Sequence, residues 1–250
     1  MVLQHIGLLR QKRIVLASAS PRRLEILRIL GLDNVLVFPS NVAEDLPKAD
    51  FKCGGDYALC TARLKAERAI KQQLEVRDNT GEEPRRDSGN RPSLDILIAA
   101  DTVVTLPSVD GKRGIDIIEK AATAEEAAAM MRRLSGRRHD VWSGVVIAVV
   151  PPGSANSAND VHWHEMKVHT SVEFAMLSED EITAYVANQN NWRGKAGAYG
   201  IQDTAACMIR SIEGDYYNVM GLPLHAVCAA FDTLISNGLI APSGGRDDQV

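Results

Sequence analysis

Long hydrophobic runs are missing from this chain. The longest, Val145–Pro152 and Leu94–Ala100, fall far short of the roughly 20 apolar residues that span a bilayer. The segment Met1–Arg13 has an apolar patch at Ile6–Leu9 but no extended hydrophobic region and no small-residue cleavage site, which excludes a secretory signal. Cysteine is scarce. Cys53, Cys60, Cys207 and Cys228 lack the C-x-x-C spacing of a zinc site, and four thiols make no disulfide scaffold, so reduced thiols in a cytoplasmic protein are expected. An excess of one charge is also absent: 28 Lys+Arg stand against 32 Asp+Glu, a net charge of −4. Proteins that coat nucleic acid are usually basic, so that class is excluded. No internal repeat is present, which removes solenoids and propellers.

What is there is the mix of a globular protein, 45% hydrophobic and 24% charged over 250 residues. That length lies between one large α/β unit and a two-lobed one. Arg13–Ala17 reads as a short strand, followed by a helix with Ser20 as N-cap and Pro21 at its first position. Leu24, Leu27, Ile29 and Leu30 are its expected buried face, and Gly31 its stop. Val35–Phe38 is the next expected strand. Tyr57–Glu75 reads as a long amphipathic helix with Leu59, Ala62, Ala66, Ala69 and Ile70 on one side, and Lys65 and Arg68 off that stripe. Leu94–Ala100 is a buried strand that delivers Asp101 at its end. Thr123 and Ser178 open helices with capping-box patterns. Val141–Val150, Val161–Met176 and Cys207–Ile212 read as strands, and Leu224–Ser236 as a last helix stopped by Gly238. Strands and helices alternate irregularly, which predicts an α/β fold with a mixed sheet. The expected organisation is an extension over 1–12, one domain over 13–238 with polar insertions at about 77–92 and 151–160, and a disordered tail over 239–250.

Several constellations can carry chemistry. In Ser18-Ala-Ser20-Pro-Arg22-Arg23, a helix start offers unpaired backbone N–H groups and a positive dipole end to an anion. Two hydroxyls and two guanidinium forks add donors for phosphate oxygens; a capped surface helix with solvated arginines fits the spacing equally well. Asp101, after an apolar strand, must meet water, a metal or a basic partner, because a buried unpaired carboxylate is costly. Glu44-Asp45, Lys65 and Glu119-Lys120 fall near element ends. Carboxylates among cations suit a phosphate site assisted by Mg²⁺ or Mn²⁺. Gly194-Lys-Ala-Gly-Ala-Tyr-Gly-Ile-Gln202 is neither a Walker loop nor a Rossmann fingerprint. It can bring backbone close to a flat ligand, with the Gln202 amide offering donor and acceptor. His162 and His164 share a strand face but lack a third ligand, Ser143 sits in no nucleophile elbow, and His139 reads as structural.

Together these pieces resemble the Maf family of nucleoside triphosphate pyrophosphatases from about Arg13 to Gly238. The likeness rests on Leu16-Ala-Ser-Ala-Ser-Pro-Arg-Arg23, Ala100-Asp-Thr-Val-Val104, Leu134-Ser-Gly-x-x-His-x-Val141, the glycine-dense run to Gln202, and Asn218-Val-Met-Gly-Leu-Pro223, in the family's order. One departure is Ala121, where the family usually has proline. The resemblance implies two α/β lobes around a central cleft, akin to inosine triphosphate pyrophosphatases, and often a homodimer. It implies metal-assisted cleavage of a nucleoside triphosphate to monophosphate and pyrophosphate, with Asp101 as proton acceptor. Arg22, Thr102 and Gln202 agree with the branch acting on dTTP and UTP. Ser18, Ser20, Arg22, Arg23, Lys65 and Lys120 would then hold the triphosphate, and Glu44 and Asp101 the metal. Two alternatives stand beside it: a 7-methyl-GTP pyrophosphatase, and a non-catalytic regulatory protein of cell division.

Overall fold

The strand that carries Asp101 organises the molecule. The computed structural model describes residues 1–40, 42, 45–79, 94–107, 115–151 and 160–242. Its strands are β1 (Ile14–Leu16), β2 (Leu36–Val37), β3 (Ile96–Pro107), β4 (Ile115–Ile118), β5 (Arg138–Val149), β6 (His162–Phe174) and β7 (Ile209–Gly214). They form one seven-stranded mixed sheet in the order β2-β1-β3-β5-β6-β7, with β4 also on β3. The helices are α1 (Ile6–Arg10), α2 (Pro21–Ile29), α3 (Gly54–Asn79), α4 (Ala124–Leu134), α5 (Glu179–Val186), α6 (Gln189–Trp192), α7 (Tyr216–Met220) and α8 (Leu224–Ser236). The expected mixed α/β sheet with flanking helices is thus observed.

One edge of β3 is shared by two short strands. Ile96–Ile98 pair in parallel with β1, and Val104–Pro107 pair antiparallel with β4. Neither ladder covers Ala99–Val103, and Asp101 lies in the middle of that gap. Its other edge pairs continuously with β5, where Asp101 faces Gly144. Asp101 is therefore inside a strand and not at its end, as the apolar run had suggested. What ends near Ile98 is the parallel ladder to β1; the β5 ladder carries β3 onward.

Period-two alternation sorts the faces. Leu97, Ala99, Val146 and Ala148 pack on α3 together with Ala62, Ala66 and Ala69. Ile96, Ile98, Ala100, Val145 and Ile147 face α2 and α8, where Leu27, Val227 and Phe231 are buried. Val104, Leu106 and Val141 join a further cluster built by α4, α5 and Trp192. Residues of both of these last two clusters line the cleft described below.

Several local expectations need correction. In α2, Ile26 is buried and Ile29 exposed, because Ile26 shares the inward face with Leu27 and Leu30 while Ile29 turns outward. Ser20 occupies the N-cap, but its side chain makes no cap bond; its N–H donates to Ser18 Oγ at 3.2 Å instead. Lys65 is buried and lies on the stripe of α3 that includes Ala58, Ala62 and Ala69, since i, i+3, i+4 and i+7 share one helix face. Residues 204–208 form a 3₁₀ turn, so the strand expected from Cys207 begins at Ile209. The 1–12 extension folds, and Val2 and Leu9 pack into the cluster of α8. Arg77–Asn79 continue α3. The tail expected to be disordered from 239 begins with Leu239 and Ile240 packed into the same cluster of α8; its remainder from 243, and most of the insertions expected at 77–92 and 151–160, lie outside the described residues.

Candidate functional site

Because adjacent strand residues point to opposite faces, Asp101 and Thr102 reach different partners. Asp101 turns toward α3, where Lys65 Nζ meets Asp101 Oδ1 at 2.6 Å. Both side chains are only 8% exposed. A buried pair of this kind stabilises little by itself, but removal of either partner strands a charge. Thr102 turns toward α2. Arg23 Nη2 donates to Thr102 Oγ1 at 3.2 Å, Nη1 to Ser18 Oγ at 2.8 Å, and Nε to the Gly221 carbonyl at 2.8 Å. Thr102 Oγ1 also lies 2.8 Å from Ser143 Oγ. One guanidinium thus ties the loop after β1, the middle of β3 and the turn after α7.

These groups line one cleft of about 560 Å³. Ser18, Ser20, Arg22, Arg23, Lys65, Asp101, Thr102 and Lys120 all face it, so residues spread over a hundred positions converge as expected. Two cationic residues unforeseen in the sequence, Arg193 and Lys195, bring the cationic residues of the lining to six, against Asp101 as the one acidic residue among the described lining residues; the Lys195 ammonium itself is held by Asp203 and the Asn190 and Asn191 carbonyls. The start of α2 adds its positive end. Burial holds the Arg22 guanidinium below its usual value, and the charge of Asp203 opposes that shift. Arg22 Nη2 donates to the Gly194 carbonyl at 3.2 Å, bridging α2 to the glycine-dense loop. Such a cavity favours a polyanion, because a low-dielectric wall strengthens each contact. Its apolar lining, Val104, Val141, Val219 and Met220 among others, offers a surface for a flat base.

The far wall is held by backbone pairing. Lys120 bridges Ala196, and Gly197 N–H donates to the Glu119 carbonyl at 2.9 Å. Ala198 adopts φ +60°, a left-handed conformation that is uncommon outside glycine. Tyr199, beside it, lines the cleft, and its hydroxyl lies 2.8 Å from His139 Nε2. His139 is buried, and that burial pushes its imidazole down to about 4. Its neutral form therefore favours the fold above the ordinary value of about 6.5, and that contribution is lost as pH falls toward 4. Stability should fall less between pH 6.5 and 4 in His139→Gln than in the wild type. Parallel curves of melting temperature against pH would contradict this origin.

Gln202 is not among the cleft-lining residues, but its amide lies against Gly200, which is. Glu44 lies outside the described residues. No cluster of three or more His, Cys, Asp or Glu is present among the described residues, so His162 and His164 gain no third ligand. The residues that sequence reasoning missed, Arg193, Lys195 and Tyr199, are neighbours of glycine turns and carry no periodic signal. Lys195 was visible only as part of the glycine-dense run. The described residues include no helix long and apolar enough to cross a membrane, and all four cysteines are free thiols.

Comparison with known proteins gives the chain its relatives. A dTTP/UTP pyrophosphatase of Pyrococcus furiosus is 39% identical over 213 residues, covering 85% of this chain and 90% of that protein. A dTTP/UTP pyrophosphatase of Chelativorans sp. is 37% identical over 213 residues, 85% of this chain and 87% of its own length. A probable bifunctional dTTP/UTP pyrophosphatase/methyltransferase protein of Homo sapiens is 39% identical over 223 residues, 89% of this chain; the chain spans 32% of that protein's length. A solved Ham1 protein of Staphylococcus aureus superposes with a TM-score of 0.43 at 16% identity, over 89% of this chain and 99% of that one. A family model described as Maf-like protein matches residues 13–234. The chain belongs to the Maf-like protein family.

Proposed function

We propose that the cleft hydrolyses dTTP and UTP to the nucleoside monophosphate and pyrophosphate. The observation that carries this reading is one cleft lined by six cationic residues, a helix start and the buried carboxylate of Asp101. The dTTP/UTP pyrophosphatases among the relatives support the reaction and the base.

Arg22, Arg23, Lys65, Lys120 and the Ser18 and Ser20 hydroxyls hold the triphosphate, spreading its charge over fixed donors. Lys65 fixes the orientation of Asp101 through Oδ1. Asp101 accepts the proton of the water that attacks the α-phosphorus, and the cations stabilise pyrophosphate as it leaves. A triphosphate site with one carboxylate suits Mg²⁺ or Mn²⁺, since hard cations are commonly held by one or two carboxylates plus substrate phosphates. Asp101 would hold that ion, with Glu44 as the second expected ligand. The ion neutralises phosphate charge and orients the chain of phosphates when bound. Cytoplasmic placement and a homodimer belong to the same proposal; the free thiols suit the first.

Arg22→Ala should raise KM for dTTP roughly 10-fold, the scale of one charged hydrogen bond, with little change in melting temperature. A sharp drop in melting temperature with unchanged kinetics would make Arg22 a structural clasp on Gly194. The activity itself is tested by pyrophosphate release from dTTP, UTP, CTP, GTP and 7-methyl-GTP with Mg²⁺ or Mn²⁺. Turnover of dTTP and UTP above the others is the expected pattern; preference for 7-methyl-GTP, or no turnover, would overturn it.

A further inference from the structure

We propose that Ser143 is a positioning residue: from behind the cleft it fixes the Thr102 hydroxyl, and through it the Arg23 guanidinium, in the arrangement that receives the triphosphate. This rests on the reading of the cleft given above. Ser143 is fully buried and is not among the cleft-lining residues, so any effect it has on a nucleotide passes through a neighbour. That neighbour is Thr102. The two residues face each other across the β3–β5 ladder, and opposed residues project to the same side of a sheet. Their side-chain oxygens lie 2.8 Å apart.

A hydroxyl carries one hydrogen and two lone pairs, so the short contact has two assignments. In the first, Ser143 donates to Thr102, and Thr102 donates to the Gly221 carbonyl at 3.3 Å. In the second, Thr102 donates to Ser143, and Ser143 donates to the Asn218 carbonyl at 3.4 Å. Thr102 Oγ1 accepts from Arg23 Nη2 in both. Either way the Thr102 hydrogen ends on a protein oxygen and a Thr102 lone pair is turned to Arg23. Thr102 therefore presents no donor to a phosphate, and its influence on the nucleotide runs through the arginine.

The supports behind this chain are buried and rigid. Asn218 is fully buried, and its Nδ2 donates to the Val141 carbonyl at 3.1 Å and to Thr170 Oγ1 at 3.0 Å. Thr170 Oγ1 in turn donates to the Asp215 carbonyl at 3.0 Å and accepts from the Asp215 N–H at 3.1 Å. These bonds stitch α7 onto β5 and β6, and so fix Gly221, which follows α7 and whose carbonyl accepts from Arg23 Nε. Arg23 is only 9% exposed, yet it lines the cleft. All three of its guanidinium nitrogens donate to protein oxygens, on Gly221, Ser18 and Thr102. A planar fork held at three points has its orientation set before a ligand arrives, and a preorganised charge binds better than one that must be ordered on binding. Loss of the Ser143 oxygen frees Thr102 to turn and slackens one of those three points.

The test reads Kd for inorganic triphosphate without metal, by calorimetry, and KM for dTTP with Mg²⁺, in wild type, Ser143→Ala, Thr102→Val and the double variant. Ser143→Ala should weaken triphosphate binding about 5-fold, the fold-change of one hydrogen bond. It should raise KM for dTTP by a like factor and leave kcat little changed. In the Thr102→Val background Ser143→Ala should add nothing, because two residues that act through one contact are not additive. Kd and KM belong to the folded fraction, so partial unfolding cannot imitate the result. If Ser143→Ala does not fold, Ser143→Cys fills the same space with only a weak donor and should show the same loss. A lower melting temperature with unchanged Kd and KM overturns the proposal, and so does a full additional loss in the Thr102→Val background. A wild type that does not hydrolyse dTTP overturns the reaction assigned to the cleft, while triphosphate binding still decides the role of Ser143.

Discussion

Asp101→Asn should lose at least about 100-fold in kcat for dTTP, the scale of a positioned acid–base group, while the protein stays folded and still binds the nucleotide. The amide keeps the carboxylate's shape and leaves an oxygen acceptor for Lys65 Nζ, which now lies 2.6 Å from Oδ1. What it removes is the negative charge that takes a proton from water. The buried Lys65 charge is then less well balanced, so a modest drop in melting temperature is expected. Binding of the nucleotide measured without metal should be retained, because no direct phosphate contact is lost and one like charge is removed. Turnover within a few-fold of wild type would show that Asp101 is only the anchor of Lys65.

Gly144→Ala should be the most destabilising single methyl in the protein's sheet, and its effect should reach the site. Gly144 faces Asp101 across the β3–β5 ladder. A Cβ there would stand 2.2 Å from Leu59 N, 2.3 Å from Leu59 Cα and 2.4 Å from Ala58 C. These are backbone atoms of α3, so no rotamer change relieves the clash; the helix must move as a unit. Overpacking in a dense core costs about 1–3 kcal/mol and sometimes more, and the upper end is expected here. For a chain of this size that is a melting temperature lower by about 6–12 °C. Lys65 rides on the same helix, so kcat for dTTP should fall even at temperatures where the variant is folded. An unchanged melting temperature would mean that α3 is not seated against Gly144.

These two positions also mark what the sequence could and could not reveal. Local, short-range signals were legible. The Ser178–Glu181 capping box forms with both of its bonds, and Gly31 and Gly238 stop their helices with φ of +85° and +72°, because each depends on residues three or four apart. The anion-binding start of α2 and the aspartate of β3 were legible as chemistry for the same reason. Their meeting was legible only through resemblance to a family. The gap on β3 depends on where β1 and β4 end, and neither ladder leaves a mark near Asp101 itself. Lys65 was misplaced because its charge hid its position on the alanine face of α3. Lys195 and Gln202 were visible only as members of the glycine-dense run, and their pairing with Asp203 left no signal: it is made by a turn, where neither period two nor period 3.6 applies.

Hydrolysis of dTTP in ¹⁸O-labelled water tests the central claim most directly. Water activated by Asp101 and directed at the α-phosphorus must place the label in dTMP and leave pyrophosphate unlabelled. Label in pyrophosphate, or the appearance of dTDP and inorganic phosphate, would contradict both the bond assigned to this cleft and the place given to Asp101 within it.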